Sequence, residues 1–83
     1  MRYLITYDLR ANGRNYQTLY DALESIGAKR VLASSWAVRV GNMNAAGIRD
    51  WVRQFVDVND GVLVSPLQVE WAAWSVQADI NTI

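Results

Sequence analysis

Five side chains in the first half of the chain are of the types that phosphate chemistry uses: Asp8, Arg10, Arg14, Ser34 and Ser35. Asp8 stands near the end of an apolar run, YLITYDL at 3–9. There Tyr3, Ile5, Tyr7 and Leu9 alternate with Leu4, Thr6 and Asp8, the period of a β-strand. Aspartate is uncommon in strands, and a buried carboxylate is costly without a partner. Asp8 is therefore either a solvated strand end or a placed functional group. Arg10 and Arg14 flank Asn12-Gly13 in the loop that follows. Arginine offers a planar fork to phosphate or carboxylate, and seven of the eight basic residues are arginine. The Ser34 and Ser35 hydroxyls can donate to a phosphate or to Asp8, or serve a turn.

What is missing narrows the chemistry. The chain has no histidine and no cysteine. That removes imidazole bases, the Ser-His and Cys-His mechanisms, thiolate nucleophiles, zinc sites built on His or Cys, and disulfides. A metal here is a hard cation held by oxygen, such as magnesium, manganese or calcium. Net charge is zero, so the strongly basic signature of a dedicated nucleic-acid binder is absent. The halves differ, however: residues 1–40 carry six basic and three acidic residues, and residues 41–83 carry two and five. An anionic partner belongs with the first half. Arg2 is followed by no long apolar run and no stretch is long enough to span a membrane, so a cytoplasmic location without membrane contact is expected.

The elements that must position these residues follow from pattern. After the first strand, Asn15 is placed to cap a helix with Tyr16, Leu19, Tyr20, Leu23 and Ile26 on its apolar face, and Gly27 ends it. The two tyrosines read as core residues with exposed hydroxyls. Residues 28–40 read as two strands broken at Ser34-Ser35, Val31 and Ala33 sharing one face and Trp36, Val38 and Val40 another. Lys29 and Arg30 open this region, as a solvated strand end or an anion contact. Gly41-Asn42 is a turn, and Asn42 or Asn44 caps a second helix with a stripe of Ala45, Ile48, Val52 and Phe55, widened by Trp51 and Val56. Asn59-Asp60-Gly61 turns into a strand at 62–64, stopped by Pro66.

The order strand, helix, strand, strand, helix, strand is that of a ferredoxin-like βαββαβ sandwich, an α+β fold with two helices on one face of a four-stranded antiparallel sheet. One domain spans 1–83, with a core of about 1–67 and an aromatic tail of about 68–83 carrying Trp71 and Trp74. The tail packs on the domain or on a partner, and its last residues are expected to fray. An apolar fraction of 52% is high for 83 residues, and a homodimer burying a sheet face or edge accounts for it. With Tyr3, Ile5 and Tyr7 toward the helices, Asp8 faces the open side, where a symmetry-related Asp8 can approach.

The opening YLITYDL, the arginine-bearing loop, the helix LYDALESIGAKRV and the SSW that opens the following strand resemble the small ferredoxin-like CRISPR-associated proteins, the second of the two near-universal spacer-acquisition proteins, or relatives outside CRISPR loci. The resemblance implies a homodimer with facing sheets. It makes Asp8 the catalytic and metal-binding carboxylate, with Mg2+ or Mn2+ between the subunits. Some members cleave RNA or DNA. Others hold a DNA fragment beside the integrase, so an integrase-like acquisition protein is an expected partner; toxin-like relatives act on RNA. Arg10, Arg14, Ser34 and Ser35 are then the expected nucleic-acid contacts.

Overall fold

The computed structural model describes residues 1–11 and 13–83. Strand β1, Arg2–Asp8, follows the alternation of its sequence: Tyr3, Ile5 and Tyr7 are buried, and Asp8 is exposed at the end. The expected turn at Asn12-Gly13 falls partly outside the described residues; Gly13 itself is in a turn, and the Arg14 amide donates to the Ala11 carbonyl at 3.3 Å.

Helix α1 is Gln17–Ser25. Its flanking residue is Tyr16, whose side chain caps nothing. Asn15, one residue earlier, provides the oxygen instead and accepts from the Gln17 amide at 2.9 Å. At the other end Gly27 adopts φ +81°. Its amide donates to the Glu24 carbonyl at 3.0 Å and the Ala28 amide to the Leu23 carbonyl at 3.1 Å, a Schellman closure. Leu19 and Leu23 are fully buried, but Ile26, expected on the same stripe, is 36% exposed. It caps the helix just before the left-handed residue turns the chain away.

Strands β2, Lys29–Leu32, and β3, Ser35–Arg39, form a hairpin whose turn is Ala33-Ser34 rather than Ser34-Ser35. A bulge between Arg30 and Leu32 brings Leu32 opposite Ser35. Ala33 therefore shares no strand face with Val31, and Ser35 is the first residue of β3.

Asn44 caps helix α2, Ala45–Val52, by accepting from the Gly47 amide at 2.8 Å. The chain then tightens into a 3-10 turn at Arg53–Phe55. Phe55 thus leaves the α-helix but still meets Trp51 edge-to-face, ring centroids 5.1 Å apart. Strand β4, Gly61–Pro66, pairs with β1 as far as Pro66 opposite Tyr3. It is an edge strand, which tolerates proline at its end.

The sheet order is β2-β3-β1-β4 with every pair antiparallel, and with α1 and α2 this is the ferredoxin-like α+β fold. Both helices cover the Tyr3–Ile5–Tyr7 face, where Leu19, Leu23, Ile48 and Val52 meet Trp36 and Val38. Each such side chain contributes about 1.5–3 kcal/mol by leaving water.

The tail corrects two expectations. It does not fray: Ile80 is 6% exposed and packs with Val31 and Ala37, among Leu4, Leu67, Trp71, Val76, Ala78 and Ile83. Nor is the second sheet face wholly free, because this cluster lies on it. The Gln77 amide donates to the Val31 carbonyl at 2.9 Å, Arg2 Nη1 to the Ile80 carbonyl at 3.1 Å, and Arg39 Nε to the Ile83 carbonyl at 3.1 Å. Trp71 folds back on the domain, whereas Trp74 is 89% exposed.

Candidate functional site around Asp8

The tail covers the sheet beside Leu4, Val31 and Ala37 and leaves the other end of β1 open. There a shallow cavity of about 320 Å³ is lined by Thr6, Tyr7, Asp8, Gly61, Val62 and Leu63. Leu63 is 64% exposed beside it. The Asp8 side chain is 69% exposed and accepts from Arg10 Nε at 2.9 Å. Gly61 stands opposite Asp8 across the β1–β4 pair. A Cβ on Gly61 would come within 3.1 Å of Arg10 Nη2, so the glycine leaves room for the guanidinium beside the carboxylate.

Arg10 is also tied to the loop before β4. Its Nη1 donates to the Asn59 carbonyl at 3.0 Å and its backbone amide to Asp60 Oδ1 at 2.6 Å. Arg14 points elsewhere: Nη1 reaches Asp57 Oδ2 at 3.4 Å, and the guanidinium carbon lies 5.4 Å from the Tyr16 ring centroid. The serines join the site through Thr6, which shares the Asp8 face. Thr6 Oγ1 donates to the Ser34 carbonyl at 3.1 Å and accepts from the Ser35 hydroxyl at 3.0 Å. Ser35 is buried and Ser34 exposed, and neither hydroxyl bonds Asp8. The fold thus brings Asp8 and Arg10 together, sets the serines two residues back along the strand, and sends Arg14 to a different carboxylate.

Asp60, which sequence pattern assigns only to a turn, is the hub of this region. Its carboxylate accepts from the Arg10 amide, from the Tyr16 hydroxyl at 2.6 Å and from the Asp57 amide at 2.8 Å. Desolvation pushes the Asp60 carboxyl up, but these donors, the Arg10 amide foremost, together hold it below its ordinary value. The Tyr16 phenol is pushed up from its ordinary value by desolvation and by donating to Asp60. Its hydroxyl is therefore engaged, not simply exposed as its sequence position implied. The sole signal for this hub was the Asp57–Asp60 spacing before Gly61, which turn chemistry explains equally well.

Among the described residues no group of three or more His, Cys, Asp or Glu side chains converges to hold a metal. One chain offers Asp8 alone at the open end of the sheet, with water and phosphate oxygens to complete a hard cation's shell. Magnesium is held by as few as one or two carboxylates in that way, so two copies of Asp8 fit it and one is the minimum.

No family model matches the chain. A hypothetical protein from Thermus thermophilus, known from its crystal structure, is similar to it with a TM-score of 0.70 and 21% sequence identity, over 90% of each chain. That likeness carries the fold. Among the described residues no helix is long and apolar enough to cross a membrane.

Proposed function

We propose that the protein is a homodimeric nucleic-acid-processing protein of the CRISPR-associated acquisition type, hydrolysing phosphodiesters with Mg2+ or Mn2+ held between two Asp8 carboxylates. The observation that supports this reading is the exposed Asp8 carboxylate on a part of the sheet's second face that the tail leaves open. With no second carboxylate converging on it among the described residues, a metal shared between two carboxylates takes the second from another copy. The surface of exposed Leu63 and half-buried Thr6 beside Asp8 is where that copy would sit. The Asp8–Arg10 pair is solvent-exposed and worth at most about 1 kcal/mol, so a divalent cation can displace it. Two Asp8 carboxylates would hold such a cation, which would supply Lewis-acid polarisation of a phosphate and a more acidic bound water. On this reading Arg10, once released, steadies the developing charge and Ser34 contacts the backbone.

A second reading has its own support. Arg10 and Arg14 are both engaged by acceptors of the β4-side loop, as fits a structural loop on a non-catalytic dimeric scaffold that bridges nucleic acid and an integrase-like partner. Cleavage of labelled RNA, single-stranded DNA and duplex DNA, with Mg2+, Mn2+ or chelator, separates the two. On the first reading cutting needs metal, falls at least about a hundredfold in Asp8→Asn, and the variant melts within about 1 kcal/mol of wild type. A folded dimer that cuts none of the substrates sinks the nuclease and leaves the scaffold.

A further inference from the structure

We infer that Arg30 anchors a second, separate site, a pocket between α1 and the β2 edge that takes a phosphate group. It lies on the helix-covered side of the sheet, opposite the face that carries Asp8, and does not depend on Asp8 holding a metal. Arg30 stands across the β2–β3 pair from Trp36. Its guanidinium carbon is 4.4 Å from the Tyr20 ring centroid and 4.9 Å from that of Trp36, and the two rings stack 6.3 Å apart. This floor is fixed: Trp36 is 3% exposed and its Nε1 donates to the Tyr7 hydroxyl at 2.9 Å in the core. The rings hold the cation from below by cation–π attraction and limit its rotamers, so little freedom remains to be lost when a ligand binds.

What the rings do not provide is an oxygen acceptor. The Arg30 side chain makes no hydrogen bond or ion pair with any described residue, and its Nε is buried without a partner. Buried donors are otherwise paired nearly everywhere in folded proteins, so a buried charged donor left open marks a place for an acceptor from outside. Beside it opens a cavity of about 450 Å³ whose wall also includes Gln17, Glu24, Ala28 and Lys29. That is ample for a phosphate and part of whatever it is esterified to. Of the charged side chains at this wall, Glu24 makes no ion pair with Arg30 among the described residues, and Lys29, opposite Ala37, belongs by strand alternation to the other face of the sheet. The planar guanidinium fork of Arg30 suits a tetrahedral oxyanion. The ligand is accordingly a phosphate monoester or diester, either a small phosphorylated molecule or one backbone phosphate of a nucleic acid.

The test follows the Arg30 Nε–Hε resonance of 15N-labelled wild-type protein, identified by its loss in Arg30→Lys. Inorganic phosphate and, separately, a five-nucleotide oligothymidylate are added at ionic strength held constant with sodium chloride. The expected result is a saturable shift of that resonance with one or both, and, read in both proteins from the backbone amide resonances of Gln17 and Ala28 at the pocket wall, affinity about tenfold weaker in Arg30→Lys, which keeps the charge and loses the fork. Saturation by inorganic phosphate identifies a small-phosphate site; saturation by the oligonucleotide alone identifies a backbone contact. No saturable shift with either, or the same shift with chloride alone, overturns the inference. The wild-type titration decides the matter even if Arg30→Lys folds poorly.

Discussion

Asp60 accepts from three donors: the Arg10 amide and the Tyr16 hydroxyl, 50 and 44 residues away, and the Asp57 amide of its own loop. Its carboxyl is held below its ordinary value, so the unfolded chain binds the proton more readily than the folded one. The stability Asp60 contributes is therefore complete above about pH 4 and is lost as pH falls through its lowered value. Tyr16 titrates at the other end. Its phenol is pushed up, so its contribution is complete below about pH 10 and is lost as pH rises past its raised value. Urea midpoints measured from pH 2 to pH 11 should show both limbs. Asp60→Asn should be less stable at pH 7 by about 1–3 kcal/mol, from donors left short of an acceptor, with a shallower acid limb. An acid limb of unchanged slope in the variant would remove Asp60 from this role. At this scale the sequence made Asp8 legible, because a carboxylate stands out at the end of an apolar strand. It did not reveal that Arg14 reaches Asp57 or that Arg10 reaches Asn59, since 43 and 49 residues separate those partners.

Among the elements, the helix ends were the most readable parts. Asn15, Gly27 and Asn44 act locally, through bonds to residues two to four positions away. Gly27→Ala forces a side chain into φ +81° while leaving its surroundings free of clashes, so the cost is backbone strain alone. We expect a loss of about 1–2 kcal/mol by chemical denaturation, with no change in secondary structure by circular dichroism. The β2–β3 turn was harder to place. Ala33-Ser34 carries no glycine or asparagine, and the bulge that shifts it by one residue is fixed across the sheet, where the Tyr7 amide and Thr6 hydroxyl both donate to the Ser34 carbonyl. Ser35 was singled out for its hydroxyl. That hydroxyl instead serves Thr6 from a buried position.

For the whole molecule the tail decides how much of the sheet's second face remains. Ile80 fills the centre of the tail cluster, and Ile80→Ala should cost about 2–4 kcal/mol and uncover the apolar floor of Leu4, Val31 and Ala37. Increased binding of a hydrophobic dye at unchanged helix content would accompany that loss; an Ile80→Ala protein as stable as wild type would mean that the tail is dispensable. The part left open, with Leu63 64% exposed beside Asp8, is the surface assigned to a second copy. Sedimentation of Leu63→Glu, which sets like charges against each other across a two-fold axis, should show monomer where wild type shows dimer. A wild-type chain that sediments as a monomer at micromolar concentration would remove the shared metal site along with the dimer.

The sequence by itself determined the order of elements, the face of β1 that turns inward, the capping roles of Asn15 and Gly27 and the exposed place of Asp8. These depend on periods of two and of three to four residues and on short-range bonds, and such information is complete within a few positions of chain. Tertiary structure alone decided that the tail lies on its own sheet with its last residues packed there, that Asp60 gathers two loops, and that Arg30 rests on Tyr20 and Trp36 without an oxygen partner. Each of those depends on which surfaces meet across the fold: an apolar tail segment settles on whatever apolar face stands open, and a polar group takes whichever partner packing brings within about 3 Å.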